Sequence, residues 1–152
     1  MTAGQVTTAT ISSQSWQNIY DFLNDNITDP RNRSKKWIYG SFPDEKSVQS
    51  IGYPLIIIEP VAFSLKNLTL NRSGFEIPIV ASVMVYDNNA QRLDETTDSI
   101  VDAFATSQST FDSYKMRHFS QSTTRYSSEF LEAGGKLHLR IIPISFMFWG
   151  SS

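Results

Sequence analysis

Cysteine is absent from the 152 residues, so no disulfide can staple the fold, and thiol catalysis and thiolate metal sites are excluded at the outset. That absence also favours assembly inside a cell over secretion. Charge is sparse: Asp, Glu, Lys and Arg make up 18% of the chain, below the roughly 25% of ordinary domains. The net charge of −2 lacks the excess expected of a protein whose main task is gripping nucleic acid. Long apolar runs are missing too. The longest, at 53–58 and 141–149, are broken by proline or serine and fall short of the roughly 20 residues a membrane helix requires, so no membrane partner is expected. The first residues, MTAGQVTTATISSQ, carry neither a basic segment nor an apolar one. They read as a flexible arm over 1–14, not a secretory signal, ahead of a single domain over 15–152. The Asn-X-Ser/Thr triplets at Asn26, Asn67 and Asn71 are expected by chance in a chain this rich in those residues.

What is present is patterned for a sheet with helices. A helix over 15–27 presents Trp16, Ile19, Tyr20, Leu23 and Ile27 on one face and stops at Asp29-Pro30. The polar loop RNRSKKW leads to a short strand near 37–41, and Phe42-Pro43-Asp44 turns the chain. YPLIIIE at 53–59 is a buried strand with prolines at its ends. Residues 64–70 alternate as a strand, with NRSG at 71–74 as the turn of a long hairpin.

The returning strand over 75–86 places Ile77, Ile79, Ala81, Val83 and Val85 on one face and Val80, Met84 and Tyr86 on the other. Both of its faces therefore need cover, the second from a neighbour in a domain this small. A second helix runs from an Asn88-Asn89 cap to about 105 and shows Leu93, Thr97, Ile100, Val101 and Phe104 to the sheet. A Ser/Thr-rich link follows, then a hairpin of 123–131 and 136–149 turning on Gly134-Gly135, with Pro143 marking a bulge or an edge. The fold class is α+β: a mainly antiparallel sheet with two helices packed on it.

Catalytic patterns are not found. No Gly-X-Ser-X-Gly elbow occurs, His118 and His138 stand in unrelated contexts, and the serines read as surface hydroxyls. No zinc or calcium spacing and no phosphate-cradling loop is present, so no metal and no cofactor is expected. Two charge patterns remain. Asp94, Asp98 and Asp102 stand at i, i+4 and i+8 on the second helix, and Asp21, Asp25 and Asp29 repeat the spacing on the first. Each stripe is either a solvated helix face, or a surface for a basic partner or for nucleic acid that must slide past without sticking. Arg31, Arg33, Lys35 and Lys36 form a basic cluster, read as solvated, as a docking loop for a neighbouring subunit, or as a small DNA contact.

Taken together, the N-terminal helix before a basic linker, the strand YPLIIIEP, the strand ending Val83-Met84-Val85-Tyr86-Asp87, the helix with Leu93, Ile100 and Phe104, and the final strand LHLRIIPISFMF form a known order. Over about 15–149 the chain resembles the tail terminator, or tail-completion, proteins of long-tailed bacterial viruses. The resemblance rests on apolar patterns and element order. It implies a structural, non-enzymatic subunit of the virion, assembled in the host cytoplasm and placed at the head–tail junction. Such subunits form a hexameric ring that caps the tail tube, ends its polymerisation and docks the head. The implied partners are further copies, the major tail-tube protein and a head-completion or neck protein, with DNA only passing through the lumen.

On this reading the subunit contacts fall on the basic loop, on Lys66, Asn71 and Arg72 of the long hairpin, and on Glu132 and Lys136 of the C-terminal hairpin tip. Asp94, Asp98 and Asp102 would line the lumen. The alternatives are a neck or head–tail connector, a tail-tube subunit and, more remotely, a hydrolytic enzyme.

Overall fold

The computed structural model describes residues 2–64, 66–67, 74–132 and 134–151. In chain order these form α1 (Ile11–Asn26), β1 (Ile38–Tyr39), α2 (Glu45–Ile51), β2 (Leu55–Ile58), β3 (Ala62–Phe63), β4 (Lys66–Asn67) and β5 (Gly74–Asp87). There follow α3 (Ala90–Thr106), α4 (Gln108–Ser113), β6 (Arg117–Gln121), β7 (Arg125–Phe130) and β8 (Lys136–Ser151). The class is α+β, as the pattern implies. Two details differ from expectation: the sheet is mixed, because β1 joins β2 in parallel, and two short helices, α2 and α4, accompany the two long ones.

Two long antiparallel strands form the spine of an eight-stranded sheet ordered β1-β2-β5-β8-β6. β5 and β8 pair without a break from Gly74↔Ser151 to Asp87↔His138. β2, β3 and β4 line the free side of β5, and β6 and β7 line the free side of β8. Both spine strands contain a proline, and each proline faces a flanking position that lies between two strands, Pro143 between β6 and β7 and Pro78 beside Ser64 between β3 and β4. Pro143 lies between the β6 pairing, which ends at Ile144, and the β7 pairing, which starts at Ile141. Its carbonyl accepts from Ser122 N at 3.1 Å, so the amide it lacks would point to the same gap. Ser82 of β5 turns its carbonyl to Glu59 N on the β2 side, so Pro78, four residues back, faces the space between β3 and β4. Pro143 is thus neither at an edge nor at a bulge of its ladder with β5.

One face of the spine carries Ile77, Ile79, Ala81, Val83 and Val85 against Ile142, Ile144, Phe146 and Phe148, all buried under α1, α3 and α4. α1 contributes Ile19, Phe22 and Leu23, and α3 contributes Leu93, Ile100 and Phe104. Phe111 of α4 is the keystone: its ring lies 4.8 Å from Phe22, 5.5 Å from Phe104 and 4.8 Å from Phe146. Each such aromatic pair adds about 0.5–1.5 kcal/mol to simple burial.

The β5–α3 corner is fixed by charge. Asp87, fully buried, accepts from Arg92 Nη2 at 2.7 Å, Arg92 Nε at 2.8 Å and Asn89 N at 3.1 Å. Asn89 caps α3 as expected, its side chain accepting from Arg92 N at 2.9 Å. The bonds from Asp87 hold the Arg92 pKa above its ordinary value. This corner aims α3 across the sheet.

Residues 2–10 do not lie free. Asn18, buried on α1, pairs with the Gly4 backbone in both directions, at 2.9 and 2.8 Å. Val6 is buried and bonds Tyr114 O at 2.9 Å. The helix begins at Ile11, not 15, because Ile11 and Ser15 extend its buried stripe.

Candidate functional site

The face of the sheet turned away from the long helices is the surface least satisfied by the chain itself. Over β2 it is closed by the segment around Phe42, whose ring meets Tyr86 edge-on at 4.8 Å, so Leu55 and Ile57 are buried. Over the spine it stays open among the described residues. Val80 is 45% and Trp149 48% exposed, and Pro78, Met84, Ile141, Pro143 and Met147 between them are half-buried. Acids lie along the β2–β5 side (Glu59, Glu76), and arginines along the β6–β7 side (Arg117, Arg125). Burial, with Glu59 and Glu129 close by, pushes the Tyr86 phenol above its ordinary pKa. Contiguous apolar patches of roughly 300–600 Å² are the largest that monomeric surfaces usually show, and they commonly serve as interfaces. The second apolar face that the sequence places on β5 is present, and among the described residues it is partly exposed.

The second feature is the tip of the β7–β8 hairpin. All six residues of β7 are exposed, and Phe130 at its end is 82% exposed, with Lys136 Nζ 5.1 Å from the ring centroid. Two backbone bonds close the turn: Leu131 N bonds Gly135 O and Gly134 N bonds Leu131 O, each at 3.0 Å. Gly134 and Gly135 sit at φ 96° and 79°, the left-handed region glycine was expected to supply. Glu132 and Lys136, both exposed, flank this tip.

The third is a cleft of about 660 Å³ between α3 and the β6–β8 side of the sheet. Asp94, Asp98 and Asp102 are exposed along its α3 wall, and Arg140 rises from β8 to bond Asp94 at 2.7 Å. Arg140 also lies over the Tyr126 ring, whose hydroxyl shares a 2.6 Å hydrogen bond with His138 Nδ1. The expected stripe on α3 is therefore real, with its first member paired. The matching stripe on α1 is not: the helix ends at Asn26, and Asp29 is buried in the loop beyond it.

Asp29 is instead the anchor of the basic loop. It accepts from the amides of Arg31 (2.9 Å) and Arg33 (3.0 Å), and from the Arg33 side chain at 2.8 and 3.2 Å. Arg33 goes on to bond the carbonyls of Ile51, Gly52 and Pro54 at 3.2, 3.0 and 2.7 Å, so it ties the loop to the end of α2 and the start of β2. Burial alone would raise the Asp29 pKa; the Arg33 side chain and the two amides outweigh it and hold the carboxyl below its ordinary range.

Arg31 bonds Tyr53 O at 2.9 Å, Lys35 bonds Ser50 Oγ at 2.6 Å, and Lys36 lies over the Tyr20 and Tyr39 rings. The cluster that reads as a docking loop thus works first as a clamp within the chain, with Arg31, Lys35 and Lys36 still exposed at its surface. Lys66 falls on β4 opposite Glu76, while Asn71 and Arg72 lie outside the described residues. Among the described residues no helix is long and apolar enough to cross a membrane, and no three acids or histidines gather as a metal set.

Sequence reasoning named Lys136 at the hairpin tip but missed the exposed Phe130 beside it, and it missed the Arg33 clamp. Asp29 and Arg33 do stand four apart, the one visible hint of their pairing. Set against known proteins, the chain matches no family model and no curated protein.

Proposed function

We propose that the protein is a structural subunit that self-assembles, and that its assembly is the ring of a tail terminator in a long-tailed bacterial virus. Copies close around an axis, six on the resemblance; the ring caps the tail tube, stops its growth and offers the docking surface to the head. The role is one of shape and not of reaction. Its place is the head–tail junction of the virion, reached after assembly in the host cytoplasm. The observation that carries this reading is the apolar strip over β5 and β8, which the described residues leave open and a second copy can cover. The acidic wall of α3 suits the lumen, where Asp94, Asp98 and Asp102 would repel passing DNA.

The test is multi-angle light scattering of the purified chain, alone and with tail-tube protein. The expected result is a ring-sized species that shortens growing tubes. Trp149→Glu should weaken that species while leaving the thermal midpoint within a few degrees, since the side chain is half exposed. A monomer at every concentration, indifferent to tube protein, overturns the proposal. Open-ended tubes formed by the chain alone would favour the tail-tube subunit, and binding to head protein without effect on tubes would favour a neck connector.

A further inference from the structure

The Phe130–Lys136 knob has a matching recess at the opposite edge of the sheet. A groove of about 480 Å³ opens where the start of α1 meets the β2–β3 turn, walled by Trp16, Gln17, Gly40, Pro60 and Val61. Its main wall is set in place beforehand. Trp16 Nε1 donates to Ile58 O at 2.8 Å, and the indole stacks on Tyr20 at 5.2 Å. Gly40 lets the chain run flat against it, since a Cβ there would sit 3.1 Å from the indole ring. The volume falls in the range that accepts ring-bearing ligands.

One acid stands at the rim: Asp21 is held to the lining Gln17 by a 2.9 Å hydrogen bond. The neighbouring cation, Lys36, is engaged over the Tyr20 and Tyr39 rings.

Knob and groove cannot meet within one chain. The groove lies on the side of β5 that carries β2 and β3; the hairpin lies on the far side of β8. Its tip also runs past the end of β5, whose ladder with β8 stops at Asp87↔His138, two residues short of Lys136. We propose that Phe130 of one copy enters the Trp16–Val61 groove of a second copy, with the Lys136 ammonium settling beside Asp21 at its rim. An exposed aromatic beside a cation meets an apolar recess with a carboxylate at its rim, so shape and charge agree. Each copy carries one knob and one groove on opposite edges, which makes the contact head-to-tail and lets it close into a ring. This rests on the self-assembly reading and names its surfaces, but it does not need the tail role.

The chain has no cysteine of its own, which makes crosslinking clean. Phe130→Cys protein mixed with Val61→Cys protein under mild oxidation should give a disulfide-linked dimer of one copy of each, and a chain carrying both changes should give a ladder of multimers. Either variant alone should stay largely unlinked. Phe130→Ala should weaken self-association about tenfold or more at an unchanged thermal midpoint, its side chain being mostly exposed. Lys136→Glu should weaken it as well, and Asp21→Lys added to the same chain should restore it.

Tip-to-tip linking of Phe130→Cys alone, or no crosslink from the mixture while the wild-type chain is oligomeric, overturns the proposal. A wild-type chain that is monomeric throughout overturns it together with the ring. Crosslinking without any effect on tube growth keeps this contact and removes the tail role; tube capping without crosslinking does the reverse.

Discussion

Replacing Arg33 by alanine should be among the most damaging single changes outside the core. The side chain is 10% exposed and makes five hydrogen bonds, two to the Asp29 carboxylate and three to the carbonyls of Ile51, Gly52 and Pro54. Removing one partner of a buried ion pair costs about 3–5 kcal/mol, because the other charge is left without its counterpart. Here the backbone amides of Arg31 and Arg33 still reach Asp29, which brings the charge term toward the lower end, about 3 kcal/mol. Water can enter the vacated space and serve part of the three carbonyls, adding up to about 1 kcal/mol. The expected loss is about 3–4 kcal/mol, or roughly 10 °C in thermal midpoint for a domain of this size.

Urea titration followed by far-ultraviolet circular dichroism measures it, with Arg31→Ala as the control. Arg31 makes one exposed bond to Tyr53 O, and its removal should cost less than about 1 kcal/mol. If Arg33→Ala also costs less than about 1 kcal/mol, the clamp argument is wrong. If it then proves to abolish assembly, the loop is a docking surface first, as its charge alone suggests.

Asp29 and Asp44 both have lowered pKa values, Asp44 through its bonds with Ser47 at the start of α2, so their stabilisation is complete above the unfolded value of 3.8. It is lost as the pH falls through the lower folded values, so an acid titration should show stability independent of these groups above about pH 5 and falling below about pH 4; Asp29→Asn should flatten that slope. Asn18→Ala should free residues 2–10 from α1, costing about 1–3 kcal/mol and showing as faster amide exchange at Gly4 and Val6, whereas unchanged exchange would mean those bonds hold nothing. Changing Asp94, Asp98 and Asp102 together to Asn should move stability by no more than about 1 kcal/mol, because the bond lost to Arg140 is solvated and the repulsion relieved is small. A larger loss would show the cleft to be a structural network.

The elements that announced themselves in the sequence are those whose burial repeats. β5 alternates because one face lies on the helices, and α3 shows both an Asn cap and a stripe of Leu93, Ile100 and Phe104. The hairpin at Gly134-Gly135 is legible because the turn demands φ values that glycine tolerates. α2 carried no such signal: none of its residues is buried, and only Val48 and Ile51 touch the core. α4 buries Phe111 alone, so one aromatic in a Ser/Thr-rich stretch reads as a link. β6 is hidden by its register shift between Arg117 and Ser120, where His118 takes φ 54° and breaks the alternation. Residues 2–10 are held by Val6 and by a side-chain amide reaching back from Asn18, neither of which has a period to detect. As for the surface, the open strip was legible as a second apolar face on β5. The basic run was read as surface charge because nothing local shows that Arg33 folds inward onto carbonyls 18 to 21 residues away.

The two prolines in the spine have an effect on how copies of this chain can join. Opposite each proline one ladder bond is missing, and among the described residues the strands that flank the spine are short, the longest of the β8 side being the six residues of β7. Strand-to-strand growth between molecules needs a long uninterrupted border of free amides and carbonyls, and among the described residues neither border offers one. Molecules built this way can gather through their side chains while their backbone ladders stop within each subunit, which is what separates a finite particle from a fibre.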